Sequence, residues 1–119
     1  MPNFYGVPEI TPADVHRRRA AGDTFVLLDV REPQELLYAD LGEGVELVPL
    51  SQLAALGAAA LPASVAHDKT AEIVVFCHHG IRSAQVVAWL RQQGWTNVLN
   101  LDGGIDAYAR QVDPSVGFY

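Results

Sequence analysis

The fold of this chain is decided by the stretch Ile73-Val74-Val75-Phe76-Cys77-His78-His79-Gly80-Ile81-Arg82-Ser83. Its four leading residues are β-branched or aromatic, and a short apolar run of this kind is typical of a fully buried strand. The segment that follows, 82–93, places Val86, Val87 and Leu90 on one side, which predicts a helix. The only cysteine of the chain, Cys77, therefore falls at the turn from a strand to a helix.

The same alternation of strand and helix runs through the rest of the chain. Strands are predicted at 25–28, 45–49 and 97–101, and residues 29–31 are expected to carry the first of them out of the core. Helices are predicted at 11–22, 32–38, 52–61 and after 103–104, with a loop at 62–69 and an irregular tail at 112–119. Such alternation implies a parallel sheet covered on both faces. Ligands of such sheets bind beyond the carboxyl ends of the strands, where Cys77 stands.

The composition favours one globular domain and argues against several kinds of partner. A length of 119 residues suffices for a single core, and a net charge of −6 argues against nucleic acid. No run approaches the roughly 18 apolar residues of a membrane span, and the first residues lack the features of a secretory signal. A single cysteine excludes an intramolecular disulfide, and a free reactive thiol suits a reducing cytosol. We therefore expect a cytoplasmic protein without nucleic-acid or membrane partners.

The turn at Cys77 has the features of an anion-binding site around a nucleophile. Helix N-termini and turns of consecutive N–H groups bind anions, and the same field favours a thiolate over a thiol. Arg82 adds a cation in the first helical turn, where a cation opposes the helix dipole. This placement makes sense if an anion binds there, because no Asp or Glu occurs from position 77 to position 94.

Plainer interpretations compete with this one. A lone cysteine is usually a buried small hydrophobe. The alternative interpretation of Arg82 is a surface residue of the helix, and that of Ser83 is a helix cap. Asp29 and Arg31, at the end of a neighbouring strand, are interpreted as a structural ion pair rather than as the border of a pocket.

The residues beside Cys77 are not expected to bind a metal. His78 and His79 could act as ligands together with Cys77, but three adjacent residues do not easily converge on one ion. They are expected instead to shape the turn, to add positive potential when protonated, or to face solvent. Gly80 permits a backbone turn that a Cβ would block.

Taken together, these features resemble one family, the single-domain rhodaneses, in order from about Ile10 to Tyr119. The resemblance rests on Asp29-Val30-Arg31-Glu32-Pro33, Val48-Pro49-Leu50, Val74-Val75-Phe76-Cys77-His78-His79-Gly80-Ile81-Arg82-Ser83, Gly94-Trp95, Val98-Leu99-Asn100-Leu101-Asp102-Gly103-Gly104-Ile105 and Val112-Asp113-Pro114. The cysteine turn and the later Leu-x-Gly-Gly turn are highly specific as a pair, and each alone is much weaker.

The resemblance implies a fold and a reaction. The fold would be α/β, one domain over residues 1–119 with its core from about residue 10, and a central parallel sheet of about five strands with helices on both faces. The reaction would be sulfur transfer. In this family the matching cysteine takes the outer sulfur of thiosulfate or another persulfide donor and passes it to cyanide, a thiol or a protein acceptor.

Carried onto this sequence, the family pattern makes Cys77 the nucleophile and the carrier of the persulfide. The backbone N–H groups that would hold the persulfide belong to His78, His79, Gly80, Ile81, Arg82 and Ser83. Arg82 would also help to bind the donor anion. The resemblance implies no cofactor.

Two departures from the family pattern stand out. Many members carry a Gly-His-Ile-Pro-Gly-Ala segment before the third strand, whereas this chain reads Ala39-Asp40-Leu41-Gly42-Glu43-Gly44-Val45-Glu46. The shape of this connection, and its part in the rim of the pocket, are therefore left open. Tyr108 stands where a Trp is common.

Two other functions fit parts of the pattern. A cysteine phosphatase of related fold uses Cys-x5-Arg, so that the loop encloses a phosphate, and needs an acid for the leaving group. This chain has the shorter Cys-x4-Arg, which suits a single sulfur. A non-catalytic interaction domain is the other alternative, but such relatives commonly replace the cysteine that is present here.

Overall fold

Five parallel strands form one sheet, in the order β1-β5-β4-β2-β3, in the computed structural model, which describes residues 5–119. The strands are β1 (Glu9–Ile10), β2 (Val26–Asp29), β3 (Val45–Leu47), β4 (Ile73–Phe76) and β5 (Val98–Leu101). The helices are α1 (Pro12–Ala20), α2 (Leu50–Leu56), α3 (Ala63–Ala66), α4 (Ile81–Gln92) and α5 (Gly104–Gln111). Short 3-10 helices occupy Pro33–Leu37, Gly57–Ala60 and Pro114–Val116.

The strand that precedes the cysteine lies in the middle of the sheet. β4 pairs with β2, so that Asp29 lies opposite Phe76, and with β5, so that Val75 lies opposite Asn100. All four residues of β4 are buried. Because the three strands are parallel, their carboxyl ends meet at one edge of the sheet, and Cys77 follows the central one.

The sheet separates two apolar cores, one on each face. Side chains of a strand point alternately to opposite faces, so Ile73 and Val75 enter one core while Val74 and Phe76 enter the other. The first core is completed by Val86, Val87 and Leu90 of α4, and the second by Val15 of α1 and by Ile105 and Tyr108 of α5. The predicted α/β fold with helices on both faces is thereby confirmed. Within residues 5–119, no helix is long and apolar enough to cross a membrane.

Three elements were not predicted from the pattern, among them the 3-10 helix at Pro114–Val116 in the tail that was expected to be irregular. β1 has only two residues, and its pairing with β5 is set by backbone bonds from Asn100 N to Pro8 O and from Asp102 N to Ile10 O, both 2.9 Å. The segment 62–69, predicted as a loop, contains the single turn of α3. α3 is fixed from outside by the Trp95 indole, which donates to the Val65 carbonyl at 2.9 Å.

Other predictions need correction in detail. The helix expected at 52–61 starts earlier and is split, because Gly57 has a positive φ of 59° that ends α2. The helix expected at 32–38 is of the 3-10 type. Residues 29–31 do not leave the core, since Asp29, Val30 and Arg31 are all fully buried.

Candidate active site

The loop that carries Cys77 runs from the end of β4 to the start of α4 at Ile81. Gly80, the residue before the helix, has a φ of +95°. A Cβ at this position would lie 3.3 Å from the Leu101 carbonyl oxygen, which is tighter than most real contacts. Both the positive φ and this close approach favour glycine, in agreement with the prediction made for Gly80.

The sulfur of Cys77 lies inside this loop. The residue is 1% exposed. Its Sγ accepts hydrogen bonds from the backbone N–H of Gly80 at 3.1 Å and of Ser83 at 3.4 Å, and lies 3.3 Å from the Ser83 hydroxyl. These groups belong to the first turn of α4, where the helix dipole is positive. The loop therefore directs positive partial charge at the sulfur.

The loop carbonyls are held by a second helix. The Cys77 carbonyl accepts from Ile105 N at 2.9 Å and the His78 carbonyl from Asp106 N at 3.0 Å, so the loop caps the N-terminus of α5. Gly104 makes this approach possible, because a Cβ there would lie 2.4 Å from the His78 oxygen. The carbonyls of Cys77 and His78 thus face α5, while the N–H groups of Gly80 and Ser83 face the sulfur. The Cys77 loop and the Gly-Gly turn are therefore held together by direct backbone contact.

Arg82 is not a free cation in this structure. Its guanidinium donates two hydrogen bonds to the Glu35 carboxylate, at 2.7 and 2.9 Å. These bonds are the main reason why the pKa of Glu35 falls from 4.5 to about 2, and they raise the pKa of Arg82 in turn. Glu35 also accepts from the backbone N–H of Glu32 at 2.8 Å. The sequence around Arg82 contains no acidic residue, so it did not indicate that Glu35, 47 positions earlier in the chain, is its partner.

Tyr119 returns to the loop, a contact that the sequence did not predict. The Tyr119 ring stacks on His78 with 3.7 Å between ring centroids and 7° between the planes. Its hydroxyl donates to Glu35 at 2.8 Å and accepts from Arg31 at 3.2 Å. Tyr119 thus joins the loop, the Arg82 ion pair and the end of β2.

The two loop histidines differ in their surroundings. His78 is partly buried between Tyr119 and His79, and this burial, followed by the charge of His79, lowers its pKa. His79 is exposed. The atoms of His78, His79 and Asp106 that could bind a metal lie within 4.8 Å of one another, but Asp106 is already paired with Arg110 at 2.9 Å. Within residues 5–119 this is the group that could hold a metal, and it does not include Cys77.

Asp29 and Arg31 form the structural ion pair that the sequence favoured. Both side chains are fully buried, with Arg31 Nη2 2.8 Å from Asp29 Oδ2. Arg31 also donates to the Ala39 carbonyl at 3.0 Å. This bond fixes the beginning of the segment that departs from the family pattern. The other departure, Tyr108, is a buried core residue whose hydroxyl contacts His16 Nδ1 at 3.1 Å.

Asn100 of β5 is a further residue at the site that sequence reasoning missed. It is fully buried, and its amide oxygen accepts from the Ser83 hydroxyl at 2.6 Å. The one signal in the sequence was a polar side chain within the apolar strand Val98-Leu99-Asn100-Leu101. Buried polar side chains require partners, but the sequence does not identify them.

Comparisons with known proteins agree with this geometry. The model of the Rhodanese-like domain matches residues 11–111. An Allochromatium vinosum protein named Sulfurtransferase is 34% identical over 110 residues, 92% of this chain and 95% of that protein. The Arabidopsis thaliana Rhodanese-like/PpiC domain-containing protein 12, chloroplastic, is 40% identical over 97 residues, which are 82% of this chain. The chain spans only 31% of that plant protein's length.

Among solved structures, a rhodanese-related protein from Thermoplasma volcanium has a TM-score of 0.69 and 30% identity. The match covers 88% of this chain and 93% of the other. The family match spans both the cysteine loop and the Gly-Gly turn. These are the two segments that the hydrogen bonds between the loop carbonyls and α5 hold together. On these grounds the chain belongs to the rhodanese-like domain family.

Proposed function

We propose that this protein is a sulfurtransferase that carries sulfur as a persulfide on Cys77. The observation that supports this most strongly is the position of the Cys77 sulfur, which accepts N–H bonds from Gly80 and Ser83 at the start of α4. Donors fixed in this way stabilise negative charge without reorganising during the reaction. The activity named for the Allochromatium vinosum relative supports the same reaction class.

The reaction proceeds in two displacements. In the first, the Cys77 thiolate attacks the outer sulfur of thiosulfate, the donor's S–S bond breaks, and sulfite leaves with the electron pair. In the second, cyanide attacks the outer sulfur of the persulfide, and thiocyanate leaves while the Cys77 thiolate is restored. A thiol or a protein thiol replaces cyanide in the same step. Atoms and charge balance in both steps without a cofactor or a metal.

The backbone of the loop would bind the transferred sulfur. We expect the N–H groups of His78, His79, Gly80, Ile81, Arg82 and Ser83 to surround the outer sulfur, as those of Gly80 and Ser83 already bond to Cys77 Sγ. Because Glu35 already neutralises Arg82, a donor anion meets an ion pair rather than a free cation. We therefore expect the loop N–H groups to contribute more than Arg82 to donor binding. A single domain and a cytoplasmic location remain part of this proposal.

Steady-state kinetics with thiosulfate and cyanide test the proposal. We expect the wild-type protein to form thiocyanate and to leave a small aryl phosphate intact. Cys77→Ser should form none, because a serine hydroxyl cannot become a persulfide. The exchange is nearly isosteric, so denaturant unfolding should show a folded variant. Thiocyanate formation by folded Cys77→Ser, or phosphate release in place of sulfur transfer, would contradict the proposal.

A further inference from the structure

A chain of hydrogen bonds leads from the cysteine sulfur to the edge of the sheet. Cys77 Sγ contacts the Ser83 hydroxyl at 3.3 Å, and this hydroxyl donates to Asn100 Oδ1 at 2.6 Å. Asn100 Nδ2 then donates to the Gly80 carbonyl at 3.1 Å and to the Glu9 carboxylate at 2.9 Å. Ser83 and Asn100 are fully buried. Glu9, on the edge strand β1, is only partly buried and is the last group in this series of hydrogen bonds.

The partners of Asn100 fix the orientation of its amide. Its two N–H bonds are both used, one on the Gly80 carbonyl and one on the Glu9 carboxylate. A flipped amide would place its oxygen against these two acceptors and its N–H group against the Ser83 hydroxyl. Asn100 Oδ1 must therefore face Ser83 as an acceptor.

The orientation of the amide decides where the Ser83 hydroxyl proton points. A hydroxyl has one proton to donate and two lone pairs. With the proton on Asn100 Oδ1, a lone pair of Ser83 faces the Cys77 sulfur, so Ser83 can accept the S–H of the thiol. A bond from Ser83 to the thiolate would require the proton to leave Asn100. The two acceptors, Cys77 and Asn100, thus compete for one proton.

We propose that Asn100 is a positioning residue that withholds the Ser83 hydroxyl proton from the Cys77 thiolate. This inference rests on the proposed function of Cys77 as the nucleophile. The thiolate then keeps two backbone N–H bonds but lacks a third donor, and is therefore more basic and more nucleophilic than a fully hydrogen-bonded sulfur. After sulfur uptake the charge moves to the outer sulfur, and the inner sulfur no longer needs a donor.

Other charged or titratable groups lie around this series of hydrogen bonds. Arg82 lies on the α4 side, contributes to the field at Cys77, and is bound to Glu35. On the α5 side, His79 lies 3.8 Å from Asp106, beside His78. Glu9 faces Asn100 from β1. None of these groups is hydrogen-bonded to the hydroxyl of Ser83, but Asn100→Leu also removes a donor from Glu9 and from the Gly80 carbonyl. These two effects persist in a Ser83→Ala background, so the comparison between the two backgrounds isolates the redirected proton.

The test measures alkylation of Cys77 by iodoacetamide as a function of pH in Asn100→Leu. With its acceptor removed, the Ser83 hydroxyl turns to the sulfur and stabilises the thiolate, so the midpoint should fall by about one pH unit, a tenfold change in the thiolate equilibrium. The limiting rate at high pH should fall about threefold, because nucleophilicity decreases with basicity at a Brønsted slope of about 0.45. Asn97→Leu, at the exposed start of the same strand segment, is the matched control.

A double-mutant cycle separates this role from a structural one. In a Ser83→Ala background, Asn100→Leu should no longer lower the midpoint, because no hydroxyl remains to be redirected. Ser83→Ala alone should shift the midpoint little, since the wild-type hydroxyl does not donate to the thiolate. This single variant still tests the proposal if Asn100→Leu does not fold.

The opposite results would overturn the proposal. If Asn100 only holds the loop in place, Asn100→Leu would weaken the N–H bonds to the sulfur. The alkylation midpoint would then rise, both in the wild-type background and in the Ser83→Ala background. A clear rise in Ser83→Ala would show that Ser83 already donates to the thiolate. Alkylation needs no sulfur donor, so these measurements stand apart from sulfur transfer itself, and failure of the proposed function would show separately as absent thiocyanate formation.

Discussion

Replacing Gly104 with alanine should displace the Cys77 loop without removing any functional group. The new Cβ would lie 2.4 Å from the His78 oxygen and 2.6 Å from the Cys77 oxygen, whereas real Cβ contacts essentially never fall below 3.0 Å. The loop must therefore retreat by several tenths of an ångström. This movement stretches the bonds from Ile105 N and Asp106 N, now 2.9 and 3.0 Å, which hold the loop carbonyls on α5.

The size of the effect follows from three contributions. A left-handed backbone costs an alanine about 1–2 kcal/mol. Loss of the two loop-to-helix hydrogen bonds removes about 0.5–1.5 kcal/mol each. We therefore expect Gly104→Ala to lower the free energy of unfolding by about 2–5 kcal/mol. A misplacement of about 1 Å at a reacting group can lower the rate about 100-fold, so a shift of several tenths of an ångström should lower thiocyanate formation about 10-fold.

Gly22→Ala is the matched control for this experiment. Gly22 has a φ of +76°, close to the +67° of Gly104, but no other part of the structure lies within 4 Å of its added Cβ. The control should lose only the backbone contribution of about 1–2 kcal/mol and keep full activity. Unfolding in urea and thiosulfate:cyanide kinetics measure both quantities. If Gly104→Ala is folded and turns over within threefold of Gly22→Ala, the contact between the loop and α5 does not position the nucleophile.

Further predictions concern the two ion pairs and the size of the loop. The folded-state pKa of Glu35 is about 2, below its ordinary value of 4.5, so its ion pair with Arg82 stabilises the protein above pH 4.5 and this stabilisation is lost as the pH falls towards 2. The pair should contribute about 1–2 kcal/mol to the difference between the free energies of unfolding measured in urea at these two pH values, after allowance for the exposure of Arg82. Glu35→Gln should abolish this contribution. Asp29→Asn leaves the buried Arg31 without its counter-charge and should cost about 3–5 kcal/mol of unfolding free energy, whereas a loss below about 1 kcal/mol would contradict a buried pair. Inserting one glycine after His79 creates Cys-x5-Arg and widens the loop, so thiosulfate turnover should fall about tenfold or more. The same insertion after Gly22, in an exposed turn, should not change turnover.

The sequence predicted well what depends on neighbours along the chain. Within a dozen residues the sequence contains the apolar run of β4, the cysteine turn and the start of α4. The structure has all three at the positions that the pattern predicted. The role of Gly80 was likewise visible, because a glycine between a buried strand and a helix indicates a special backbone turn.

The rest of the site depends on contacts between distant segments, which no local pattern reveals. Glu35 meets Arg82 from the connection after β2, and Tyr119 contacts His78 from far along the chain. Asn100 meets Ser83 because β4 and β5 are adjacent in the sheet. Residues 29–31 were expected outside the core because charged residues are rarely fully buried alone, but Asp29 and Arg31 are buried as a pair.

The central claim is that Cys77 carries the transferred sulfur, and intact mass tests this claim most directly. After incubation with thiosulfate and removal of excess donor, the wild-type protein should gain the mass of one sulfur atom, and cyanide should remove it again. Cys77→Ser, treated in the same way, should keep its original mass. A wild-type protein that gains no sulfur, or a Cys77→Ser variant that gains as much as the wild type, would contradict the account.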